Sequence, residues 1–195
     1  MRRVDMKLSP EKSLAGILEP VFAIRTENDL GIGDTDGVRQ MIDWCAAHGL
    51  NIFQTLPINE TSDDNSPYNA ISSLALEPTT IAITPKALPD ITATQLKQLA
   101  KPALLTELRD GSVNYPKVKA LKRKLLDAAF ANFLKQHFNK ETKRALAFRA
   151  FLMDNADWLS DYALFRAVME ENSGLPTWDR WQPEHRGPRR APRQV

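Results

Sequence analysis

The residues best suited to chemistry lie in one polar loop of this chain. Residues 56–78 read LPINETSDDNSPYNAISSLALEP and follow a short apolar run. Tyr68 offers a flat face for the C–H groups of a sugar and an OH for its hydroxyls. Ser66 and Asn69 add hydrogen-bond donors and acceptors, and Pro67 restricts the backbone between them. The loop therefore predicts a carbohydrate ligand, with a purely structural turn as the alternative.

Paired carboxylates are the other side chains that could act on a sugar. Cleavage of a glycosidic bond needs one carboxyl as nucleophile or base and a second as acid, roughly 5–9 Å apart. The neighbouring acidic pairs in this chain are Glu27/Asp29, Asp34/Asp36 and Asp63/Asp64. Neighbours in a loop reach that separation by accident, so solvated loops or helix caps are favoured at all three pairs. The sequence thus predicts no catalytic residue within the chain.

Phosphate, metal and cofactor sites are also disfavoured. Residues 31–34 read GIGD, and a Gly-x-Gly turn before a helix can bind phosphate. The dinucleotide fingerprint needs a third glycine, whereas position 36 is Asp, so a tight turn with a helix cap is favoured. The three histidines lack the i+3 or i+4 partner of a helical metal site: His48, His137 and His185. Cys45 is the single cysteine, which excludes an internal disulfide.

Composition places the chain among ordinary globular proteins. It has 195 residues, of which 43% are hydrophobic and 26% are charged. Residues 1–100 hold 8 Lys and Arg against 13 Asp and Glu, and residues 101–195 hold 18 against 11. A basic second half could bind nucleic acid, but solvated faces of amphipathic helices explain it better. With no apolar run near the ~18 residues of a membrane span, a cytoplasmic protein without nucleic-acid or membrane partners is predicted.

The elements that position the polar loop form one strand–helix–strand unit. The apolar residues 15–24 predict a first strand that ends or bulges at Pro20, because proline cannot donate to a ladder. A helix starts near Gly37 and stops at residues 48–49. The apolar face predicted for this helix consists of Val38, Met41, Ile42 and Cys45, and its candidate caps are Asp34, Thr35 and Asp36. Residues 51–58 form the second strand, which predicts parallel pairing.

The remainder of the chain reads as helical. Residues 81–83 predict a short extended segment. After Pro89 the spacing of apolar residues becomes that of helices. Apolar spacing predicts helices at 92–100, 103–108, 117–138 and 140–154, and a last helix that begins near Asp157 and stops at Ser173-Gly174. The final residues, RGPRRAPRQV, have almost nothing to bury and are predicted to be disordered.

Five segments, taken in order, resemble the start of the amylomaltases, the 4-α-glucanotransferases of glycoside hydrolase family 77. The segments read AGILEPVFAI, NDLGIGD, IDW, FQTLPI and DNSPYNAISSLALEP. The later stretches VNYPKVKALKRKLL, WLSDYALFRAV and WDRWQPEHR are similar to the helical insertion of that family and to the stretch that closes it. The resemblance covers roughly residues 13–186. The shared order and spacing are more specific than any one segment.

The resemblance implies a fold, an activity and a site. The family has a TIM barrel with inserted helical subdomains, and it moves α-1,4-glucan segments by a retaining double displacement without a cofactor. Residues 15–24 and 52–58 would be the first two barrel strands, whose loops open on the face that carries TIM-barrel sites. Ser66, Tyr68 and Asn69 fall where the family's loop contacts glucan. Asn69 is a departure, because the family more often has a longer Gln there.

The expected fold class is therefore α/β, as an incomplete TIM (β/α)8 barrel with a mostly α-helical inserted subdomain. Residues 1–89 would form the first barrel strands, the helix and the glucan-binding loop. Residues 90–186 would form the helical subdomain, and 187–195 the disordered tail. The family's catalytic carboxylates would come from later strands, so this chain is expected to be a fragment of an α-1,4-glucan 4-glucanotransferase that is inactive alone.

Two alternatives remain open at this point. The chain could be a non-catalytic protein that binds α-glucan, or another partner, through the Tyr68 loop. A basic helical nucleic-acid binder is the third hypothesis, although no aromatic residues alternate with the basic ones to support it. Under the barrel interpretation, unpaired strand edges and apolar barrel faces predict self-association.

Overall fold

Two short strands form the sheet of this protein. A computed structural model describes residues 13–186. Strand β1 (Gly16–Leu18) pairs in parallel with β2 (Ile52–Gln54), and Gly16 lies opposite Ile52. A Cβ atom at Gly16 would lie 2.4 Å from the carbonyl oxygen of Ile52, so only glycine permits this approach. The predicted parallel pairing is confirmed.

Both strands are shorter than the sequence predicted. In the apolar run 15–24 the strand covers only Gly16–Leu18, and a 3-10 turn, Val21–Ala23, follows Pro20, so the predicted end of the strand at Pro20 is confirmed. The second strand ends early, at Gln54 rather than at residue 58. Residues 81–83, predicted to be a short extended segment, belong to no strand, although Ile81 has extended backbone angles (φ −72°, ψ 125°). The missing N–H of Pro20 explains the end of the first strand, since it stops the ladder where the chain turns.

Helix α1 (Thr35–Ala47) connects the strands. Its cap is Asp34, whose Oδ1 accepts hydrogen bonds from the N–H groups of Asp36 (2.9 Å) and Gly37 (3.3 Å), as predicted. The predicted apolar face is only partly correct, since Cys45 is buried but Ile42 is 50% exposed. The close approach of Gly37 to Ile24 sets which side of α1 faces inward.

Five further helices follow the predicted order. Their bounds are Ala93–Leu99 (α2), Pro102–Arg109 (α3), Tyr115–Phe133 (α4), Lys143–Asp154 (α5) and Leu159–Glu171 (α6). A π-type turn, Leu134–Phe138, continues α4. Short 3-10 turns occupy Pro78–Thr80, Trp178–Arg180 and Pro183–His185. Of the residues that the structure describes, none lies in a helix long and apolar enough to cross a membrane.

One hydrophobic cluster lies between the loops and the helices. Its buried members are Leu30, Ile32, Ile83, Ile91, Ala100, Leu108, Val118, Leu121, Leu125 and Ala129. The cluster draws residues from both sides of the boundary predicted at 89/90, and the division into two domains stays a prediction. A smaller cluster joins Val168, Met169 and Trp181. The tail predicted to be disordered, 187–195, lies outside the described residues.

Candidate functional site

A cleft lies at the carboxyl ends of the two parallel strands. Because β1 and β2 run in the same direction, the chain leaves both at the same edge of the sheet. The cleft is lined by Val21 and Phe22 after β1, by residues 56–59 after β2, and by residues of the segment 77–80. In sheets of parallel strands, ligands bind at this edge. The tip of the polar loop contributes Asn65 and Pro67 to the lining, whereas the predicted sugar-binding residues Ser66, Tyr68 and Asn69 do not line the cleft.

Two isolated antiparallel bridges close the polar loop. Asn59 pairs with Leu76, and Thr61 pairs with Ala70 further out. The backbone N–H of Ser62 also donates to the carbonyl oxygen of Asn69, at 3.1 Å. These contacts leave residues 62–70 as a compact tip, which we call the sugar loop after the ligand predicted for it from the sequence.

The three residues predicted to bind substrate lie together on one turn of the sugar loop. The N–H of Asn69 donates to the carbonyl oxygen of Ser66, at 3.0 Å. Tyr68 lies between them and is 76% exposed, so its ring and hydroxyl face solvent. The Ser66 hydroxyl accepts from the N–H of Tyr68, at 3.4 Å. Tyr68 is thus the side chain of the three that is most free to meet a ligand.

Asp64, which sequence reasoning assigned only to a solvated loop, holds this turn. Its Oδ1 accepts from the N–H of Ser66 at 3.0 Å, and its Oδ2 accepts from Nδ2 of Asn69 at 2.9 Å. The Asn69 amide and the Ser66 N–H together lower the pKa of the Asp64 carboxyl. The amide nitrogen of Asn69 therefore stabilises the turn, which leaves its Oδ1 for a ligand.

Asn65 supplies a second anchor for the turn. Its φ of 55° lies in the left-handed region, which asparagine tolerates better than most residues. Its Nδ2 donates to the carbonyl oxygen of Asp63, at 3.1 Å. Its Oδ1 is buried and, within residues 13–186, has no hydrogen-bond partner. Asn65 also lines the cleft.

Glu77 organises the base of the sugar loop. Its side chain is only 8% exposed, and its carboxylate accepts four hydrogen bonds from two threonines. Oε2 accepts from the N–H of Thr61 (2.9 Å) and its hydroxyl (3.1 Å), and Oε1 accepts from the N–H of Thr79 (3.1 Å) and its hydroxyl (2.9 Å). Four donors satisfy a buried carboxylate that would otherwise be costly to remove from water. The carboxylate is thus engaged in structure.

Lys122 of α4 reaches the same segment from the helical side. It is 1% exposed, and its Nζ donates to the carbonyl oxygens of Thr79 (2.5 Å) and Ile81 (2.9 Å). Burial lowers the pKa of Lys122 to about 8, against the attraction of Asp34, Asp29 and Glu77. The prediction that the basic residues of the second half line solvated faces is therefore wrong for Lys122.

Asp29 fixes the loop that follows β1. Its carboxylate accepts from Nε and Nη2 of Arg25, at 2.9 and 3.0 Å, and from the N–H groups of Thr26 and Gly31. Burial opposes ionisation, but these donors outweigh it and lower the pKa of Asp29. Arg109 of α3 donates to the carbonyl oxygen of Asp29, at 2.6 and 2.9 Å. The GIGD turn is thus a structural turn, as the sequence favoured.

Glu60 connects the sugar loop to α6. Its buried carboxylate accepts a hydrogen bond from the Tyr162 hydroxyl and lies 3.4 Å from Nε of Arg166. Burial and the neighbouring Glu60 carboxylate raise the pKa of Tyr162. Glu60 therefore also acts as a structural anchor.

Sequence reasoning missed the anchors that hold the sugar loop. Glu77 lies in the quoted stretch LALEP, but no local pattern indicates that its partner is Thr61, 16 residues away. Lys122 and its acceptor Thr79 are 43 residues apart. Of the acidic pairs, Asp34 caps a helix as predicted and Asp64 holds an exposed turn, whereas the prediction is wrong for Asp29, which is 1% exposed and paired with Arg25.

Comparison with known proteins gives a consistent result. The profile of glycoside hydrolase family 77, described as 4-alpha-glucanotransferase, matches residues 19–194 and so extends past residue 186, where the resemblance seen in the sequence ended. A 4-alpha-glucanotransferase of Chlamydia muridarum is 35% identical over 161 residues, which cover 83% of this chain and 29% of the relative. One from Synechocystis is 33% identical over 172 residues, covering 88% of this chain and 32% of the relative.

A solved structure has a similar fold. The amylomaltase from Streptococcus agalactiae in complex with acarbose superposes with a TM-score of 0.66 at 23% identity. The match covers 89% of this chain and 32% of that protein. The chain therefore spans about a third of the length of the proteins it matches.

Proposed function

Because the chain belongs to the 4-alpha-glucanotransferase family, glycoside hydrolase family 77, we propose that its sugar loop binds an α-1,4-glucan or maltooligosaccharide. Within that family role, the chain contributes one wall of a transglycosylation site. Its fold is the first strand–helix–strand unit of a (β/α)8 barrel, followed by an inserted helical subdomain. This chain spans about a third of its relatives' length. Both the binding of sugar by this chain and the activity of a whole enzyme that contains it are therefore proposals.

The exposed Tyr68 ring on a hydrogen-bonded turn is the observation that carries the proposal. Asp64 and Asn69 hold the turn, so binding needs little further ordering of the backbone. A tyrosine ring stacks on the C–H face of a sugar, and its hydroxyl can donate to or accept from sugar hydroxyls. Ser66 and Asn69 lie on the same turn and supply additional polar contacts. The similarity in fold to an amylomaltase that binds acarbose supports a sugar ligand.

The reaction proposed is retaining transfer of a glucan segment, with catalytic carboxylates from outside this chain. Three buried carboxylates support this view because each is committed to structural partners. Glu77 accepts four hydrogen bonds, Asp29 accepts from Arg25, and Glu60 accepts from Tyr162. A carboxylate held by such donors is poorly suited to act as a nucleophile or a proton donor.

Calorimetric titration with maltoheptaose tests the binding proposal. We expect saturable binding to the unmodified chain, and Tyr68→Ala should weaken it about tenfold, as loss of an aromatic contact near 1.4 kcal/mol would do. Trp44→Ala is the matched control, because Trp44 is an exposed aromatic on α1 near the amino end of β2. Absence of binding by the unmodified chain, or equal affinity of the Tyr68→Ala variant, would exclude the proposal.

A maltotriose assay tests the assignment of the catalytic groups. If they lie outside this chain, the purified chain should release no glucose from maltotriose, while a full-length family member assayed beside it does. Glucose release and longer products from this chain would overturn that assignment and leave the binding proposal intact.

A further inference from the structure

A buried lysine lies between helix α4 and the segment that supports the sugar loop. The Lys122 Nζ donates to the carbonyl oxygens of Thr79 and Ile81, at 2.5 and 2.9 Å. Both carbonyls belong to residues 78–81, which form a 3-10 turn and its C-cap. A buried lysine is unusual, and its burial is tolerated where acceptors replace its water. This contact fixes the backbone of the segment against α4.

From that segment the polar contacts continue to the loop. The N–H and hydroxyl of Thr79 donate to one oxygen of Glu77, and those of Thr61 donate to the other. Thr61 in turn pairs with Ala70, and this bridge closes the sugar loop. Each step is a direct hydrogen bond or a backbone bridge. An unbroken polar path therefore joins α4 to the turn that carries Tyr68.

The charges around Lys122 agree with a role on this path. Asp29, Asp34 and Glu77 all favour the charged form of Lys122, although burial lowers its pKa to about 8. These carboxylates come from the loop after β1, from the cap of α1 and from the base of the sugar loop. Lys122 thus lies where three loops converge on one helix.

We propose that Lys122 is a positioning residue that holds the sugar loop in its binding conformation through Thr79, Glu77 and Thr61. The role deepens the proposed function, on which its consequence for ligand affinity rests. Lys122 touches no ligand in this scheme; it acts through the backbone of residues 79–81. Helix α4, in the region predicted to be a helical insertion, would then determine how well ordered the sugar loop is before any glucan binds.

Amide hydrogen exchange on the sugar-free chain tests the proposal. In Lys122→Met, which keeps the length of the side chain but removes its donors, exchange at the N–H groups of Thr61, Ser62 and Asn69 should become about tenfold faster. Amides within α6 should keep their rates. Lys124→Met is the matched control, because Lys124 is an exposed lysine on the same helix, and it should change none of these rates. Lys122→Gln retains a shorter N–H donor and should restore part of the protection.

A second variant keeps the test decisive if Lys122→Met fails to fold. Thr61→Val preserves the branched shape and removes the hydroxyl that donates to Glu77 at 3.1 Å. Exchange at Ser62 and Asn69 should then rise about threefold, while the amides of α4 keep their rates. Unchanged exchange at the sugar loop, in a folded Lys122→Met or in Thr61→Val, would overturn the proposal.

The sugar titration separates this proposal from the functional one. If the unmodified chain binds maltoheptaose, Lys122→Met should raise the Kd about tenfold, because the loop must order on binding. A Kd that stays the same would overturn the link between Lys122 and affinity. If no variant binds sugar but Lys122→Met accelerates exchange at the sugar loop, the proposed function fails and the positioning role stands.

Discussion

The sugar loop with its supporting segment, residues 56–81, and helix α5 distribute polar and apolar groups in opposite ways. The first region buries charged side chains, among them Glu60 and Glu77, and α4 adds the buried Lys122. Helix α5 instead exposes large apolar side chains, including Phe151 and Met153, the latter at 78%. In these two regions, burial follows the availability of polar partners more closely than it follows hydrophobicity.

The two regions are held by different forces. In the loop region, nearly every buried polar atom meets a donor or an acceptor, so removal of one partner leaves another unpaired. Helix α5 buries Ala145 and is anchored by Arg144, whose Nε lies 2.8 Å from Oδ2 of Asp90, and by the Phe133–Phe148 ring contact at 5.0 Å. Substitutions on the outer face of α5 should therefore lower the free energy of unfolding only slightly. In the loop region, a single substitution should weaken several hydrogen bonds together.

The largest expected effect is that of Glu77→Ala. The change leaves donors of Thr61 and Thr79 unpaired inside the protein, and it removes a carboxylate near Lys122. We expect the free energy of unfolding to fall by about 4 kcal/mol, measured by urea denaturation. Glu107→Ala, which removes an exposed carboxylate paired with Lys117, should cost less than about 1 kcal/mol. If Glu77→Ala and Glu107→Ala lowered the free energy of unfolding by similar amounts, the buried carboxylate would be no more important for stability than the exposed one.

Lys122 should give the loop region a distinctive dependence on pH. In the folded chain the pKa of Lys122 is about 8, against 10.5 as its ordinary value. Between these pH values the unfolded chain binds more protons, so the contribution of Lys122 to the free energy of unfolding rises with pH. The rise amounts to about 3 kcal/mol over that interval and is absent below pH 8.

Lys122→Met isolates this contribution from other titrating groups. The difference in unfolding free energy between the unmodified chain and the variant should grow in favour of the unmodified chain from pH 8 to pH 10.5. Denaturation curves at several pH values measure it. A difference that stays constant with pH would show that the pKa of Lys122 is not lowered on folding.

Helix α5 should tolerate polar substitution. Leu152→Lys or Met153→Lys should change the free energy of unfolding by less than about 0.5 kcal/mol, since both side chains are already exposed. Leu125→Ala, in the buried cluster, should cost about 3 kcal/mol and serves as the reference. A large loss of stability would mean that the outer face of α5 is packed.

The smallest effect should be electrostatic. In Asn69→Ala the Asp64 carboxylate loses its side-chain donor, so the pKa of Asp64 should move back toward its ordinary value. The lowered pKa contributes stability above the ordinary pKa of an aspartate, and this contribution disappears as the pH falls through the folded-state value. NMR titration of the Asp64 carboxyl measures the shift. An unchanged titration would remove Asn69 as the holder of the turn.

Local features of the structure could be predicted from sequence, whereas distant ones could not. Asp34 caps α1 because its role depends on residues two and three positions away, and the parallel pairing of the strands follows from their connection. The end of the first strand near Pro20 was predicted, whereas the early end of the second strand at Gln54 was not. The family resemblance predicted sugar binding at this loop. It did not show that Glu77 and Lys122 support it, since those partners meet only after folding.

The Arg109–Asp29 contact has a consequence for synthesis of the chain on the ribosome. Its two residues are 80 positions apart, so the contact with the Asp29 carbonyl oxygen cannot form until α3 has left the ribosome. Arg25, four positions from Asp29, can engage the carboxylate much earlier. During synthesis, the loop before the GIGD turn can therefore form its Arg25 contact first and gains its Arg109 contact only later. A translational pause before residue 109 emerges would leave this turn without its Arg109 contact.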